Sequence, residues 1–512
     1  MLEHEKDRLQ VLITAEEAFP ALEAAFLDAN STISAGFRIF DPMTRLRSAR
    51  ARAVGQTWGD LLVDTLNRGV DVTLLISDFD PVNGTDLHRG TWRTMRILCG
   101  LREMTRDGAG RLIARALLHP AQLAPLMRVA FAPMARGKLR AAVEQHGADI
   151  LRGAPGVRPW FTDKEGTPSL RRFALPRQFP ATHHHKLAVF DQQRLYIGGL
   201  DLNERRYDTQ HHDQPAQQTW HDVQVLIDDP TLARAGQTYL NSFPNTVAGA
   251  KPPPPVAGFL RTQSARRRVS LAHISPRSAL RELRTAHVEQ IATAKRLIYL
   301  ETQFFRDRDI ARALCRAAHA NPDLTLILTL PGAPEDVAFH GSGALEARFG
   351  ENLQARCIAK VQRAFGPRLF IGSPVQPRPV SPADPDEDRA HLSGAPLVYV
   401  HSKVSVFDDS AAIVSSANLN GRSLNWDSEA GVLLQRPTEV AQVARRVMGH
   451  WLPDEVGPEF YAPATARDAW AAWAAKNDSA DPKDQKGFIV PYKSVPARRF
   501  GRAVPGVPES MV

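Results

Sequence analysis

The chain has 512 residues, of which 43% are hydrophobic and 23% charged, a composition typical of a soluble globular protein with two or more domains. Its three cysteines, Cys99, Cys315 and Cys357, are far apart and form no CxxC pair, which excludes a disulfide-rich scaffold and a cysteine-based zinc site. The net charge of +9 favours anionic partners such as phospholipid headgroups, but it is modest for a dedicated nucleic-acid binder and is also compatible with a merely basic surface.

The N-terminal segment, MLEHEKDRLQVLITAEEAFPALEAAF, is acidic and amphipathic and lacks the basic start of a signal peptide. Because the chain contains no run of about 18 apolar residues, we expect no membrane-spanning helix. The sequence therefore predicts a cytoplasmic protein or one that binds a membrane peripherally. It leaves open whether the protein is exported without a cleaved signal.

Helices and strands alternate in the same order in two parts of the chain. In the first part the patterns predict a helix at Glu16–Asn30, a strand at Gly36–Phe40, a helix at Thr57–Arg68 and a buried strand in VDVTLLISDFDP. In the second they predict a helix at Ser278–Lys295, a strand at Arg296–Phe305, a helix at Arg308–Ala320 and a buried strand at Asp323–Pro331. This alternation indicates an α/β fold.

The connecting segments suggest where the domains end. The first half is expected to span residues 1–250, with a mostly helical insertion at about 102–152 that is interpreted as a packing subdomain or a substrate lid. The stiff, proline-rich stretch KPPPPVAGF lies in a predicted linker at 251–267. The second half is expected at 268–452 and a C-terminal extension at 453–512, the last forty residues of which are predicted to be irregular.

Two segments, HHHKLAVFDQQRLYIGGLDL and VHSKVSVFDDSAAIVSSANLN, carry similar residues at the same internal spacing. Such a match over six positions indicates an internal duplication. The positions, each displaced by 217 residues, are His184 and His401, Lys186 and Lys403, Asp191 and Asp408, Gly198 and Ser415, Gly199 and Ser416, and Asp201 and Asn418.

A metal site is the competing interpretation of the adjacent histidines at the start of the first segment. Neighbouring side chains on a strand point to alternate faces, so three in a row do not easily share one ion. We therefore interpret His183 and His185, like His211 and His212, as flanking residues, and we expect neither a metal nor a cofactor.

The spacing has a chemical meaning. His-x-Lys places both side chains on one face of a strand, and the small pairs Gly198-Gly199 and Ser415-Ser416 let a backbone approach a ligand closely. If a pseudo-twofold axis joins the two strands, two imidazoles and two ammonium groups face one cavity that suits a phosphodiester. The lysines would neutralise its charge, one histidine would attack phosphorus and the other would protonate the leaving oxygen.

The two segments resemble the paired HxKxxxxD motifs of the phospholipase D superfamily. The likeness extends to GGLDLNERRYDT, WHDVQVLI, RLIYLETQFF and SANLNGRSLNWDSEAGVLL, and it spans roughly residues 35–450 apart from the insertion and the linkers. It implies two pseudo-twofold-related α/β/α sandwich halves packed around one shared active site. It also implies a monomer of bacterial type, without the regulatory lipid-binding domains of eukaryotic enzymes.

The resemblance assigns roles to individual residues. It implies that His184 is the nucleophile, which forms a phosphohistidine, and that His401 acts as general acid and then as general base. A carboxylate beyond each motif is expected to orient the histidine of its own half, Asp222 for the first and Glu429 for the second. The implied catalytic set is His184, Lys186, Asp191, His401, Lys403, Asp408, Asp222 and Glu429, with the two motif aspartates holding local structure. The implied substrate-binding set is Asn418, Gly199, Ser416 and Asp201, in addition to the two motif lysines.

Two positions depart from the pattern. Asp201 stands where the second copy has Asn418, so one neutral donor is lost, although phospholipases D of eukaryotic type also show GGxD. Ser415 replaces the usual glycine of the second motif.

The function expected from these features is hydrolysis of glycerophospholipid headgroups at a membrane surface, or their transfer to water or a small alcohol, without nucleic acid as a partner. The first alternative is a phosphatidyltransferase such as cardiolipin synthase, a class that often carries N-terminal membrane spans. The second is a nuclease, whose small members carry one motif and dimerise. The third is a binding module, which would not need both His–Lys pairs. The sequence does not indicate which headgroup is accepted.

Overall fold

The computed structural model describes residues 8–164, 167–268, 272–504 and 508–511. The expectation for the N-terminal segment falls in part on residues 1–7, and the predicted start of the second half falls in part on residues 269–271, both of which lie outside the described residues. Among the helices that are described, none is both long enough and apolar enough to cross a membrane.

The first half is built around an open seven-stranded sheet. Its helices and strands are β1 (Leu9–Ile13), α1 (Thr14–Asp28), β2 (Thr32–Phe37), α2 (Ala49–Arg52), α3 (Trp58–Asn67), β3 (Asp71–Ser77), α4 (Thr85–Arg102), β4 (Leu112–Leu117), α5 (Pro125–His146), α6 (Asp149–Gly153), β5 (Phe161–Lys164), β6 (Thr167–Leu170), β7 (Leu187–Phe190), β8 (Arg194–Gly198), β9 (Val223–Asp228) and α7 (Pro230–Ala248). The strand order is β1-β9-β8-β7-β2-β3-β4, with β5 and β6 in a separate hairpin.

The second half is built around a nine-stranded sheet. Its helices and strands, including those of the C-terminal extension, are β10 (Phe259–Ala265), β11 (Arg277–Arg281), α8 (Glu282–Thr293), β12 (Leu297–Thr302), α9 (Arg308–Ala320), β13 (Thr325–Thr329), α10 (Glu335–His340), α11 (Leu345–Phe365), β14 (Leu369–Pro374), β15 (His391–Leu392), β16 (Ala395–Pro396), β17 (Lys403–Phe407), β18 (Ala411–Ser415), β19 (Glu429–Leu434), α12 (Pro437–His450), α13 (Ala466–Ser479), β20 (Ile489–Pro491) and α14 (Ser494–Phe500). The strand order is β11-β10-β19-β18-β17-β12-β13-β14-β20.

The same seven-strand arrangement occurs in both sheets. The order β10-β19-β18-β17-β12-β13-β14 repeats the order of the first sheet, and β11 and β20 extend its two edges. In each copy the three strands at one side are parallel and the other neighbours are antiparallel. The predicted two-halved α/β fold is therefore confirmed.

The sequence patterns located several elements closely. Helix α9 has the predicted bounds, because the Asp307 side chain accepts hydrogen bonds from the first backbone amides of the helix and fixes its start. Helix α8 begins later than predicted, since Arg277–Arg281 pairs with β10 as an added edge strand instead.

Three predicted irregular or helical segments contain strands. The insertion at 102–152 includes β4, which pairs with β3 at the sheet edge. The linker at 251–267 includes β10, which pairs with β19. The described part of the last forty residues is not wholly irregular, because β20 pairs with β14 and α14 follows it. Burial of apolar side chains such as Ile489, which is 0% exposed, outweighs the polar, proline-rich composition of this segment.

One continuous apolar core joins the two halves. It includes Val189 and Val225 from the first sheet, Val404 and Val432 from the second, and residues of helices α7 and α12. Strand β8 of the first sheet contacts β18 and β19 of the second. This packing brings the two motif strands, β7 and β17, to a common interface.

Candidate active site

The two motif histidines lie at corresponding ends of the two sheets. His184 precedes β7 and His401 precedes β17, at the edge where the parallel strands β2 and β12 end. The carboxyl ends of parallel strands are the usual ligand-binding edge of an open α/β sheet. Both His-x-Lys segments are extended, but they enter the regular strands only at or just after the lysine.

Each motif segment pairs with a segment of the other half. The backbone amides of His184 and His185 donate to the Ser428 carbonyl, at 2.8 and 2.9 Å, and the amide of His401 donates to the His221 carbonyl, at 2.8 Å. Ser428 directly precedes Glu429, and His221 directly precedes Asp222. The backbone pairing therefore delivers each carboxylate to the histidine of the opposite half.

The pairing of histidines with carboxylates is thus crossed. The Nδ1 atom of His401 lies 2.6 Å from Asp222 Oδ2, and that of His184 lies 3.1 Å from Glu429 Oε2. The expectation that each carboxylate orients the histidine of its own half is wrong. In each case Nδ1 faces the carboxylate, which leaves Nε2 for chemistry.

The two imidazoles face each other closely. Their ring centroids are 6.5 Å apart, a separation at which one phosphorus atom can lie between them. The side chain of His184 is 12% exposed and that of His401 is 5% exposed. Both rings are therefore largely buried.

The motif lysines lie beside the histidines. Lys186 Nζ donates to the His184 carbonyl at 2.6 Å, and Lys403 Nζ donates to the His401 carbonyl. Both ammonium groups are buried, and burial lowers the pKa of each lysine. An anion between the histidines would be held by two cations that have little competing water.

Several arginines add to the positive charge. Arg38 and Arg422 lie close enough to His184, and Arg206 to His401, to lower the pKa of these histidines, although burial is the larger cause. The Arg206 guanidinium stacks on Trp220, 3.5 Å from the ring centroid, and Trp220 in turn packs on His401. Arg38 also lines a cavity of about 210 Å³ on the first half. The sequence patterns did not single out these arginines, because lone arginines carry no motif.

Burial has opposite effects on the histidines and on their carboxylates. It lowers the pKa of His184 and His401 and raises the pKa of Asp222 and Glu429. The rise is larger for Glu429, whose neighbour Asp427 adds like charge, whereas Lys403 moderates the rise for Asp222. The two carboxylates are therefore unequal partners.

Asp201 and Asn418 lie in equivalent but chemically different pairs. Asp201 Oδ2 is 4.0 Å from the Arg38 guanidinium and 3.9 Å from Lys186 Nζ. Asn418 Nδ2 donates to Gln303 Oε1 at 3.1 Å. The first half thus has a charged pair where the second has an amide pair.

One residue of each small pair after the motifs contacts a buried carboxylate. A Cβ atom at Gly199 would lie 2.1 Å from Asp222 Oδ1, so only glycine leaves room for that carboxylate. The hydroxyl of Ser416, at the equivalent position, donates to Glu429 Oε2. These positions therefore contact Asp222 and Glu429 closely, and their expected approach to a ligand stays a prediction.

The motif aspartates lie at the far ends of the motif strands. Asp191 accepts hydrogen bonds from the amides of residues 30–32, and Asp408 accepts them from residues 295–297. Both residues have a left-handed backbone, with φ of 51°. They join β7 to β2 and β17 to β12 and do not reach the histidines, as their predicted structural role implies.

Three of the four histidines interpreted as flanking are in fact buried. His183 Nδ1 lies 2.9 Å from Ser428 Oγ, and His185 Nδ1 lies 2.9 Å from the Tyr239 hydroxyl. His212 is fully buried, whereas His211 is exposed. His183, His185 and His212 therefore have defined contacts that their spacing did not reveal.

The family match falls in the second half of the chain. A family model described as "Cardiolipin synthase, PLD-like domain" matches residues 287–451, a range that contains His401, Lys403 and Glu429. Phospholipase D alpha 1 of Oryza sativa subsp. japonica is 24% identical over 373 residues, which cover 51% of this chain and 46% of the rice protein. Phospholipase D1 of Mus musculus is 27% identical over 252 residues, which cover 38% of this chain and 22% of the mouse protein.

The matches thus span less than half of the length of these relatives. Among solved structures, phosphatidylserine synthase of Haemophilus influenzae Rd KW20 aligns with a TM-score of 0.50 at 12% identity, over 86% of this chain and 85% of that chain. This likeness concerns the fold. The family model and the phospholipase D relatives support membership of the phospholipase D superfamily, and the two-halved α/β fold is consistent with it.

Proposed function

We propose that the chain cleaves a phosphodiester by forming a covalent phosphohistidine, and that its substrate is a glycerophospholipid. The observation that carries this proposal is the pair of facing imidazoles, 6.5 Å apart, each with Nδ1 on a buried carboxylate. A nucleophile and a proton donor on opposite sides of one phosphorus atom are what such a displacement requires.

In the first step, His184 Nε2 attacks phosphorus and the P–O bond to the headgroup alcohol breaks. The leaving oxygen takes the Nε2 proton of His401. In the second step, His401 removes a proton from water or an alcohol, whose oxygen attacks the phosphohistidine and releases His184. Lys186, Lys403 and the Asn418 amide stabilise the charge on the non-bridging oxygens.

The unequal carboxylates support this assignment of roles. Asp222 is 2.6 Å from His401 Nδ1, and a close anion stabilises the imidazolium that a proton donor needs. Glu429 lies further from His184, at 3.1 Å, and burial raises its pKa more strongly. His184 is therefore kept as a neutral imidazole, the form that attacks phosphorus.

Transfer of a phosphatidyl group to a second alcohol is the alternative outcome of the same chemistry. The family model that matches the second half is named for cardiolipin synthase, and the aligned structure is a phosphatidylserine synthase. The two reactions differ only in whether water or an alcohol meets the phosphohistidine.

Vesicles of phosphatidylcholine or phosphatidylglycerol, and separately plasmid DNA, should be incubated with the protein with and without ethanol. We expect phosphatidic acid from vesicles without ethanol, and phosphatidylethanol as an added product when ethanol is present. Exposed His340, changed to alanine, provides a control that should behave like the wild type. Cleavage of DNA but not of lipid would contradict the proposed substrate class, and product without alcohol capture would contradict the covalent intermediate.

The nucleophile can be identified directly. A slow phosphodiester substrate should be mixed with the protein, quenched in base, in which phosphohistidine survives, and digested for mass spectrometry. We expect the adduct on His184. An adduct on His401 would reverse the roles, and the absence of any adduct would favour direct attack by water.

A further inference from the structure

Three histidines form a second cluster behind Asp222. His212 and His221 come from the first half, and His450 is the last residue of α12 in the second half. One ligand atom from each residue lies within 4.8 Å of those of the other two. His212 and His221 are fully buried, and His450 is partly exposed. The cluster therefore lies at the junction of the halves, with access through His450.

The outward-facing nitrogens of the two buried histidines are held by carboxylates. His212 Nδ1 lies 2.6 Å from Asp208 Oδ2, and His221 Nε2 lies 3.1 Å from Glu301 Oε1. A histidine that ligates a metal usually donates its other N–H to a carboxylate, which fixes the tautomer and turns a lone pair toward the ion. The same arrangement occurs here twice.

The inward-facing nitrogens are then His212 Nε2 and His221 Nδ1, both with lone pairs. His212 Nε2 lies 2.8 Å from His450 Nε2. His221 Nδ1 is buried and has no hydrogen-bond partner. An unpaired buried acceptor is costly, and one N–H from His450 can satisfy only one of the two lone pairs. The protein groups of the cluster alone therefore leave His221 Nδ1 unsatisfied.

The chemistry of the three side chains also suits a metal. A site made of imidazoles and no carboxylate selects transition metals over Ca²⁺ and Mg²⁺.

We propose that His212, His221 and His450 bind one Zn²⁺ ion, with a fourth position open to water on the side of His450. Zinc–nitrogen bonds are about 2.0–2.1 Å long, and the three ligand atoms lie within 4.8 Å of one another. This site does not depend on the proposed phosphodiester chemistry.

The consequence of the site is structural. The ion would tie His221 to α12, and the His221 backbone pairs with residues 399–401 through its amide and carbonyl. Glu301, which holds the His221 ring, also accepts a hydrogen bond from Trp451 Nε1 at 2.6 Å. Zinc would therefore hold the segment that presents Asp222 to His401.

Zinc binding can be measured on the full chain without a polyhistidine tag. After treatment with EDTA, the protein should be titrated with Zn²⁺ against a chromophoric chelator. We expect one equivalent to bind with a dissociation constant below about 1 μM and to raise the melting temperature. His450→Gln should weaken binding by about 100-fold or more, and His340→Gln, at an exposed helix end, should not change it.

Cobalt(II) adds a spectroscopic readout. The wild-type chain should show the visible absorption of a four-coordinate Co²⁺ site, and His450→Gln should lose it. His450→Cys should keep Co²⁺ and add a thiolate charge-transfer band in the near ultraviolet. Failure of the wild-type chain to bind Zn²⁺, or binding by His450→Gln as tight as that of the wild type, would show that the three histidines form only a hydrogen-bonded network.

Discussion

The two halves share one strand order but differ at the positions that surround the histidines. Each motif aspartate accepts hydrogen bonds from three backbone amides at equivalent positions of its own half, so the connection between the paired strands is preserved. Near the motif histidines, the first half has Arg38 with Asp201, and the second has Gln303 with Asn418. The comparison indicates that a duplicated fold can keep its geometry while the charges around its two histidines diverge.

The largest expected effect tests whether both halves are needed. His184→Ala and His401→Ala should each lower kcat by about 1,000-fold or more, because each removes one partner of a two-residue displacement. Turnover should be measured on vesicles, and circular dichroism should show an unchanged fold. Near wild-type hydrolysis by either variant would mean that the halves do not share one site.

Asp222→Asn and Glu429→Gln test the crossed pairing, and each should lower kcat by about 100-fold. Asp222 contacts His401, the proposed acid. The Asp222→Asn substitution should therefore lower kcat less for a p-nitrophenyl substrate, whose leaving group needs no proton. The Glu429→Gln defect should be the same for both leaving groups, since it concerns the nucleophile. The opposite dependence would assign the carboxylates to the other steps.

Acid should destabilise the first half before the second. Outside the two sites, burial lowers the pKa of His119 to about 4 and that of His185 to about 3, and it also lowers the pKa of His183. Among the described histidines of the second half outside these sites, only His287 has a pKa that burial lowers.

The direction of this pH effect on stability follows from proton uptake by the unfolded chain. Below pH 6.5 the unfolded chain binds protons that these folded histidines do not, so the free energy of unfolding falls as pH falls toward 4. His119 alone should lower the free energy of unfolding by on the order of 3 kcal/mol below about pH 4. Urea unfolding and hydrogen exchange between pH 8 and 4.5 should show this, with first-half amides exchanging first. His119→Gln should flatten the dependence, and a free energy that stays constant from pH 7 to 5 would contradict it.

The smallest expected effect concerns the pair beside Lys186. Arg38→Gln and Asp201→Asn should each lower kcat/KM by about 10-fold, because each leaves an unmatched charge. The double variant recreates the amide pair of the second half and should lose less than the product of the single losses. Strict additivity in the double-mutant cycle would show that Arg38 and Asp201 act independently.

The sequence by itself predicted the duplication, the α/β class and the residues of the two motifs. These features are local, because strand and helix periodicity and the fixed His-x-Lys spacing are present in contiguous segments. Helix α9 could be placed accurately since its cap, Asp307, lies next to it. The motif aspartates could be given a structural role for the same reason.

Only the tertiary structure determined which carboxylate meets which histidine. Asp222 and Glu429 are close in sequence to the histidines of their own halves, but the docking of the halves pairs His221 with His401 and Ser428 with His184. The same docking brings His450 to His212, although the two residues are separated by most of the second half. Such contacts depend on the packing of apolar side chains across the two sheets. This packing joins residues that are far apart in sequence, so no local sequence pattern predicts it.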